Sequence, residues 1–123
     1  MKSLKCFVII AVCLLGAMAP VFAQDPLKVG PNIYKLVFEN ERVRVMEVTF
    51  QPGDKIATHS HPDHIAYMLS GGTLKLSYPD GSTKEISGEK GQVFWIKAET
   101  HAAENTSPKK VKLLVVELKP KTV

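Results

Sequence analysis

The heptapeptide THSHPDH, residues 58–64, contains three of the four histidines of this 123-residue chain. Side chains two residues apart on a β-strand project from the same face, so His59 and His61 are expected to point their rings toward one place. Neutral imidazole is a common ligand for zinc, iron, copper and nickel. This stretch therefore predicts one half of a metal site.

His64 has the wrong parity to join the other two histidines on an unbroken strand. Pro62 and Asp63 interrupt the strand and allow the chain to turn, so we expect a new strand to begin at His64. If His64 faces inward, Ala66 and Met68 face inward with it. The small side chain at position 66 would leave room beside a metal.

Outside the heptapeptide, apolar and polar residues alternate in short runs from Asn32 onward, and Gly, Pro or Asp ends each run. This is the pattern of half-buried strands, and no helical stretch is predicted. His101, Ala103 and Asn105 would share one strand face. The predicted strands are Ile33–Phe38, Val43–Phe50, Ile65–Ser70, Thr73–Tyr78, Ser82–Ile86, Gln92–Ile96 and Val111–Leu118.

Four segments between these strands have the composition of tight turns, at residues 51–54, 70–72, 79–81 and 88–91. Each contains the proline or glycine that a tight reversal requires. Many short strands at regular spacing indicate a sandwich or a barrel. The chain is therefore expected to be an all-β protein with one domain.

The N-terminal residues have the pattern of a secretory signal peptide, because Lys2 and Lys5 precede an apolar run at residues 6–18. Cleavage is expected between Ala23 and Gln24, which divides the chain into a signal peptide, 1–23, and a mature domain, 24–123. The apolar run, about 13 residues, is shorter than the roughly 20 that cross a bilayer. We therefore expect a secreted or periplasmic protein with no membrane segment in its mature form.

Removal of the signal peptide would also remove both cysteines, Cys6 and Cys13, so the mature fold needs another source of stability. The net charge falls from +4 to +2, because Lys2 and Lys5 are lost and no acidic residue precedes Asp25. Lysines gather near the C-terminus, but no aromatic residues alternate with them as single-strand nucleic-acid binding requires. Nucleic acid is therefore not an expected partner.

The sequence resembles the cupin superfamily over essentially the whole mature chain. Its first motif has a glycine, five residues, His-x-His and a hydrophobic strand, matched by Gly53, His59 and His61. Its second motif has a glycine and later a histidine followed after three residues by asparagine, matched by Gly91, His101 and Asn105. The resemblance implies a double-stranded β-helix, or jelly-roll barrel, that encloses a ligand cavity.

The resemblance also implies that His59, His61 and His101 are metal ligands. The glutamate ligand of the first motif is missing, and His64 stands near its place. We therefore expect one divalent ion (iron, manganese, zinc or nickel) held by His59, His61, His64 and His101. Four neutral ligands would leave the charge of the ion uncompensated and would favour anionic, oxygen-bearing ligands.

Three functions remain open at this stage. The chain could be an enzyme, a dioxygenase, isomerase or lyase acting on a small oxygen-bearing molecule. It could instead be a metal-dependent module that binds or senses a small ligand, or a barrel in which the metal is purely structural. Candidate acids and bases are Tyr67, Tyr78, Glu99 and Glu104. Apolar candidates for the cavity wall are Met46, Val48, Phe50, Ala66, Met68, Leu74, Leu76, Phe94, Ile96 and Ala103.

The strands Ile33–Phe38 and Val111–Leu118 are apolar enough to pair across a two-fold axis. A homodimer is therefore expected.

Overall fold

The structure is a computed structural model that describes residues 24–121, so the predicted signal peptide lies outside the described residues. Within this range a short helix precedes nine strands. None of the helices described is long and apolar enough to cross a membrane. The elements are α1 (Pro26–Val29), β1 (Tyr34–Glu39), β2 (Val43–Phe50), β3 (Lys55–His61), β4 (His64–Met68), β5 (Gly72–Ser77), β6 (Thr83–Gly88), β7 (Val93–Ile96), β8 (Glu99–Asn105) and β9 (Val111–Leu118).

The described strands form two antiparallel sheets packed face to face. One sheet has the order β1-β2-β9-β4-β7, and the other has the order β3-β8-β5-β6. The chain crosses between the sheets repeatedly, which gives a double-stranded β-helix of the jelly-roll type. The predicted all-β, single-domain barrel is confirmed.

Five predicted strands lie within two residues of the observed bounds, and β2 and β9 match them. Three of the four predicted turns contain a glycine with positive φ, at Gly53, Gly81 and Gly91. The predicted set lacks two strands, β3 and β8, although His59, His61 and His101 were expected to lie on extended segments.

The prediction of no helix was wrong at α1. Asp25 caps this helix by accepting a hydrogen bond from the backbone N–H of Leu27, and Pro26 follows in the first turn. Four residues are too few to produce a detectable helical period.

The core lies between the sheets, because buried residues alternate with more exposed ones along β2, β4, β8 and β9. In β9 the buried positions are 111, 113, 115 and 117, and in β2 they include Met46, Val48 and Phe50. Burial of each large apolar side chain stabilises the fold by roughly 1.5–3 kcal/mol. The histidines of β3, β4 and β8 share this inner surface.

A bulge in β3 determines which way its histidines face. Ile56 pairs with Ala103 and His59 pairs with His101, so the pairing shifts between these two positions. Residues 57 and 58 are both exposed, whereas Ile56, His59 and His61 are buried. The extra residue changes the parity of the strand after Ile56 and turns the histidines inward.

The outer face of the five-stranded sheet carries an apolar row that crosses all five strands. The strand register places its members side by side, and its two ends, Phe38 and Trp95, are 52% and 56% exposed. The row consists of Phe38, Val45, Val116, Ile65 and Trp95.

Candidate metal centre

The four predicted metal-site residues lie together inside the barrel. His59 and His61 come from β3, His64 from β4 and His101 from β8, and each residue is at most 5% exposed. The ring of His61 lies 4.8 Å from the ring of His59, 4.7 Å from that of His64 and 5.4 Å from that of His101, measured between centroids.

Three of these histidines form the tightest group. One ring nitrogen from each of His59, His61 and His101 lies within 4.8 Å of the other two, which is close enough to hold one metal ion. His64 packs against His61 beside this triad. Its role as a fourth ligand stays a prediction.

A hydrogen bond to oxygen fixes the tautomer of every ring in the cluster. A backbone carbonyl or a carboxylate can only accept, so each Nδ1 carries the hydrogen and each Nε2 keeps its lone pair. The cluster therefore presents four Nε2 donors. The Nδ1 contacts are His59 to the Ala57 carbonyl, 2.8 Å; His61 to Glu117, 2.7 Å; His64 to the Pro62 carbonyl, 2.8 Å; and His101 to Glu99, 2.9 Å.

Burial keeps His59, His64 and His101 neutral. Desolvation, with smaller effects from the neighbouring imidazoles, lowers the pKa of His59 to about 4 and that of His101 to about 3. Burial also lowers the pKa of His64. At neutral pH these three rings therefore offer lone pairs rather than protons, as a metal requires.

Glu117 connects His61 to a partly buried chain of charges. Its Oε1 accepts from His61, and its Oε2 accepts from Nε and Nη2 of Arg44 at 2.9 and 2.8 Å. Nη1 of Arg44 reaches Asp25 at 2.9 Å. Burial alone would raise the pKa of Glu117, but the hydrogen bond from His61 and the charge of Arg44 outweigh it and lower that pKa.

Glu99 supports His101 from the same strand, β8, in the four-stranded sheet. Its carboxylate accepts from Nδ1 of His101, and its side chain is 22% exposed, against 4% for Glu117. Partial burial raises the pKa of Glu99. The expectation that the charge of the ion goes uncompensated therefore needs correction, because two carboxylates lie one hydrogen bond away from the predicted ligands.

Tyr34, at the start of β1, also belongs to the site, although the sequence analysis did not identify it. Its hydroxyl lies 3.5 Å from Nε2 of His59 and 3.4 Å from Nε2 of His61. The sequence placed Tyr34 on a predicted strand, where alternation could have indicated that its side chain faces inward. Nothing in the sequence indicated that this strand faces the histidines.

Glu117 was not among the predicted site residues either, although the sequence carried a clear signal for it. The residue shares its strand parity with Val111, Leu113 and Val115, so it is a carboxylate on a core-facing surface. Charged residues are almost never buried without a partner. The alternation along β9 therefore indicated an internal ion pair.

The four candidate acids and bases divide into two pairs. Glu99 contacts His101, and the ring of Tyr78 lies 6.3 Å from that of His101. Tyr67 is 38% exposed on the outside of the barrel. Glu104 lies on the exterior as well, 3.8 Å from Lys55. Tyr67 and Glu104 therefore have no place in the site.

A cavity of about 60 Å³ adjoins the histidines. Nine of the ten apolar residues predicted for its wall line it, and the exception, Met46, is buried in the core nearby. The polar groups on the wall are those of Tyr34, His61, His64 and His101.

The donor set fits a divalent metal, because neutral, oriented imidazoles with free Nε2 atoms are standard ligands for such ions. His59, His61 and His101 would hold the ion, with His64 beside them. A metal bound there would supply Lewis acidity to an oxygen-bearing ligand.

Comparison with known proteins agrees with this geometry. The sequence profile of the cupin domain family matches residues 46–117. No match appears among curated proteins. A cupin domain from Bordetella pertussis Tohama I superposes with a TM-score of 0.66 and 27% identity, over 72% of this chain and 93% of that chain.

Two more distant structures share the fold alone. An RmlC-like cupin from Methanocaldococcus jannaschii is 12% identical, with a TM-score of 0.56, over 70% of this chain and 78% of that chain. The polyketide cyclase RemF from Streptomyces resistomycificus is 24% identical, with a TM-score of 0.53, over 69% of this chain and 63% of that chain. Profile, topology and inward-facing histidines agree, and the chain belongs to the cupin domain family.

Proposed function

We propose that the chain binds one divalent metal through Nε2 of His59, His61 and His101, with His64 as a fourth ligand. A small oxygen-bearing molecule then binds beside the ion. One observation carries this proposal: four buried imidazoles converge, and each has its Nδ1 fixed by an oxygen acceptor. Such outer contacts orient the rings of metal-binding histidines and set their tautomer.

The cavity limits the size of this molecule. A buried water needs about 10–15 Å³ of such space, so a cavity of about 60 Å³ has room for a few waters or a ligand of a few non-hydrogen atoms. The apolar wall leaves the metal, together with the few polar groups beside it, to orient the ligand. Small carboxylates and enolates match these constraints, and the proposed reaction is their metal-assisted oxygenation, isomerisation or lyase cleavage.

The metal set is tested by measuring metal content in the purified protein and in single variants. We expect His59→Ala and His61→Ala to lose most of the metal, because each removes a donor from the central group. His64→Ala is expected to weaken binding less. Plasma mass spectrometry measures the stoichiometry, and wild-type protein without stoichiometric metal would contradict the proposal.

A second candidate is a module that binds or senses a ligand without transforming it. The apolar wall favours this alternative, as do the outward positions of Tyr67 and Glu104. Assays of the metal-loaded protein with small enols, carboxylates and oxygen separate the two. Turnover supports the enzyme, whereas a higher melting temperature with ligand and no turnover supports the module.

We further propose export and dimerisation. The pattern of residues 1–23 supports export, and N-terminal sequencing of the protein from a native-like host should find Gln24 first. Of the two strands expected to pair across a two-fold axis, β9 lies between β2 and β4, so that part of the prediction was wrong. The edge strand β1 and the exposed apolar row that begins at Phe38 support a symmetric contact with a second copy. Sedimentation of wild type and Phe38→Glu tests this contact. If both proteins are monomeric, the proposed dimer is wrong.

A further inference from the structure

The hydroxyl of Tyr34 is buried and weakly hydrogen-bonded. The residue is 6% exposed, and in residues 24–121 the hydroxyl has two hydrogen-bond partners, Nε2 of His59 and Nε2 of His61. Both distances, 3.5 and 3.4 Å, exceed the usual range of about 2.7–3.2 Å. The hydroxyl is therefore held near the two nitrogens without a strong bond to either.

Backbone pairing and ring packing hold this side chain in place independently of the hydroxyl contacts. The N–H of Tyr34 donates to the carbonyl of Gly30 at 2.9 Å, and Tyr34 pairs with Val48 across β1 and β2. Its ring packs edge-on against His59, with centroids 5.6 Å apart. Its position therefore does not depend on the two weak hydrogen bonds.

Metal binding changes what the hydroxyl can do. If His59 and His61 coordinate an ion through Nε2, as the proposed function holds, both lone pairs that face the hydroxyl are used. A buried donor without an acceptor is unfavourable. An oxygen atom of a ligand bound beside the ion would supply a new acceptor at this place.

We propose that Tyr34 determines ligand specificity by donating a hydrogen bond to an oxygen atom of the molecule bound beside the metal. The class of ligand is a small anion with two oxygens on one carbon or on adjacent carbons, so that one oxygen reaches the ion and another reaches Tyr34. This inference rests on the proposed function, because it requires the metal at the histidines.

The test uses Tyr34→Phe, which removes the hydroxyl alone. Tyr67→Phe removes the same atom from the outer face of the same sheet and is the matched control. All three proteins are loaded with Co²⁺, and acetate is titrated while the visible absorption of the ion is recorded. We expect Tyr34→Phe to bind Co²⁺ like wild type and acetate at least tenfold more weakly, whereas Tyr67→Phe matches wild type in both.

Several outcomes would overturn the inference. The inference is wrong if wild type and Tyr34→Phe bind acetate with equal affinity. It is also wrong if wild type binds Co²⁺ but does not bind acetate. A tenfold loss of Co²⁺ affinity in Tyr34→Phe would make the phenol a metal ligand or a support for the rings instead. If wild type fails to bind Co²⁺, the proposed metal-binding function itself is wrong. The Co²⁺ measurement therefore distinguishes failure of the proposed function from failure of the inference about Tyr34.

A second measurement needs no variant at residue 34. Wild type labelled with ¹³C at the tyrosine Cζ and loaded with diamagnetic Zn²⁺ gives one resonance for each of its three tyrosines. We expect acetate to shift the Tyr34 resonance and to leave that of Tyr67 unchanged. An unchanged Tyr34 resonance at saturating acetate contradicts the proposal.

Discussion

Glu117 and Glu99 each accept a hydrogen bond from Nδ1 of a predicted ligand, yet their surroundings differ. Glu117 is enclosed in the five-stranded sheet, where Arg44 and Asp25 extend the chain of charges. Glu99 lies in the other sheet, partly exposed and next to His101. Burial acts on both carboxyls, but only at Glu117 do its charged partners bring the pKa below its usual value.

Because their surroundings differ, the two carboxylates use the same hydrogen bond to a histidine for different purposes. Glu117 accepts two hydrogen bonds from the partly buried Arg44, so the stability of the fold depends on it. Glu99 contributes less to the stability of the fold, and its negative charge acts mainly on the basicity of His101. One carboxylate therefore belongs chiefly to the framework of the barrel, and the other belongs chiefly to the metal centre.

The largest expected effect is the loss of stability in Glu117→Gln. The change removes the charged acceptor of two Arg44 hydrogen bonds, and because Arg44 is partly exposed and keeps Asp25 as a partner, we expect a loss of about 1.5–3 kcal/mol in the free energy of unfolding. Urea denaturation of the metal-free protein at neutral pH measures this loss. Glu99→Gln, the matched change in the other sheet, should alter the same quantity by less than about 1 kcal/mol. Equal losses would remove the distinction.

The next effect concerns metal affinity. Glu99→Gln keeps an oxygen acceptor for His101 but removes its negative charge, so we expect roughly tenfold weaker Zn²⁺ binding, about 1.4 kcal/mol. Competition with a chromophoric chelator measures the dissociation constant. Lys55→Gln, which alters an exterior residue, is the control. Unchanged Zn²⁺ affinity in Glu99→Gln would show that Glu99 does not tune the ligand.

The smallest effect is a pH dependence of opposite sign at the two carboxylates. The folded pKa of Glu99 is raised, so its contribution to stability is full below its unfolded pKa of about 4.5 and is lost as pH rises through the folded value. Metal-free Glu99→Gln should therefore be slightly more stable than wild type at pH 7, and this advantage should vanish below pH 4.5.

Glu117 behaves in the opposite way, because its folded pKa is lowered. Its contribution is present above about pH 4.5 and is lost as pH falls through the folded value. The deficit of Glu117→Gln should therefore shrink in acid. Thermal melts of the three proteins between pH 3 and 7 measure both trends, and parallel curves would contradict them.

Much of the fold was predictable because strand alternation is a local property. The bounds of β2 and β9 follow from their period alone, and the inward faces of His64 and Ala66 follow from the interruption at Pro62. The helix α1 was too short for such a signal.

The parts of the site that escaped prediction depend on contacts between distant strands. Arg44 and Glu117 meet because β2 pairs with β9 in one particular register. Tyr34 reaches the histidines because two sheets pack face to face, which alternation within one strand cannot reveal. Strand order and sheet packing are properties of the whole chain.

The bulge in β3 means that histidine spacing alone does not define this site. Ala57, inside the bulge, also supplies the carbonyl that orients His59. Deleting Thr58 would retain all four histidines and the His-x-His motif, yet it would require either Ile56 or the histidine pair to face solvent. A single-codon deletion would therefore abolish the site without changing any residue in it. A homologue with a gap at this position should not be assigned the same function on its histidine motif alone.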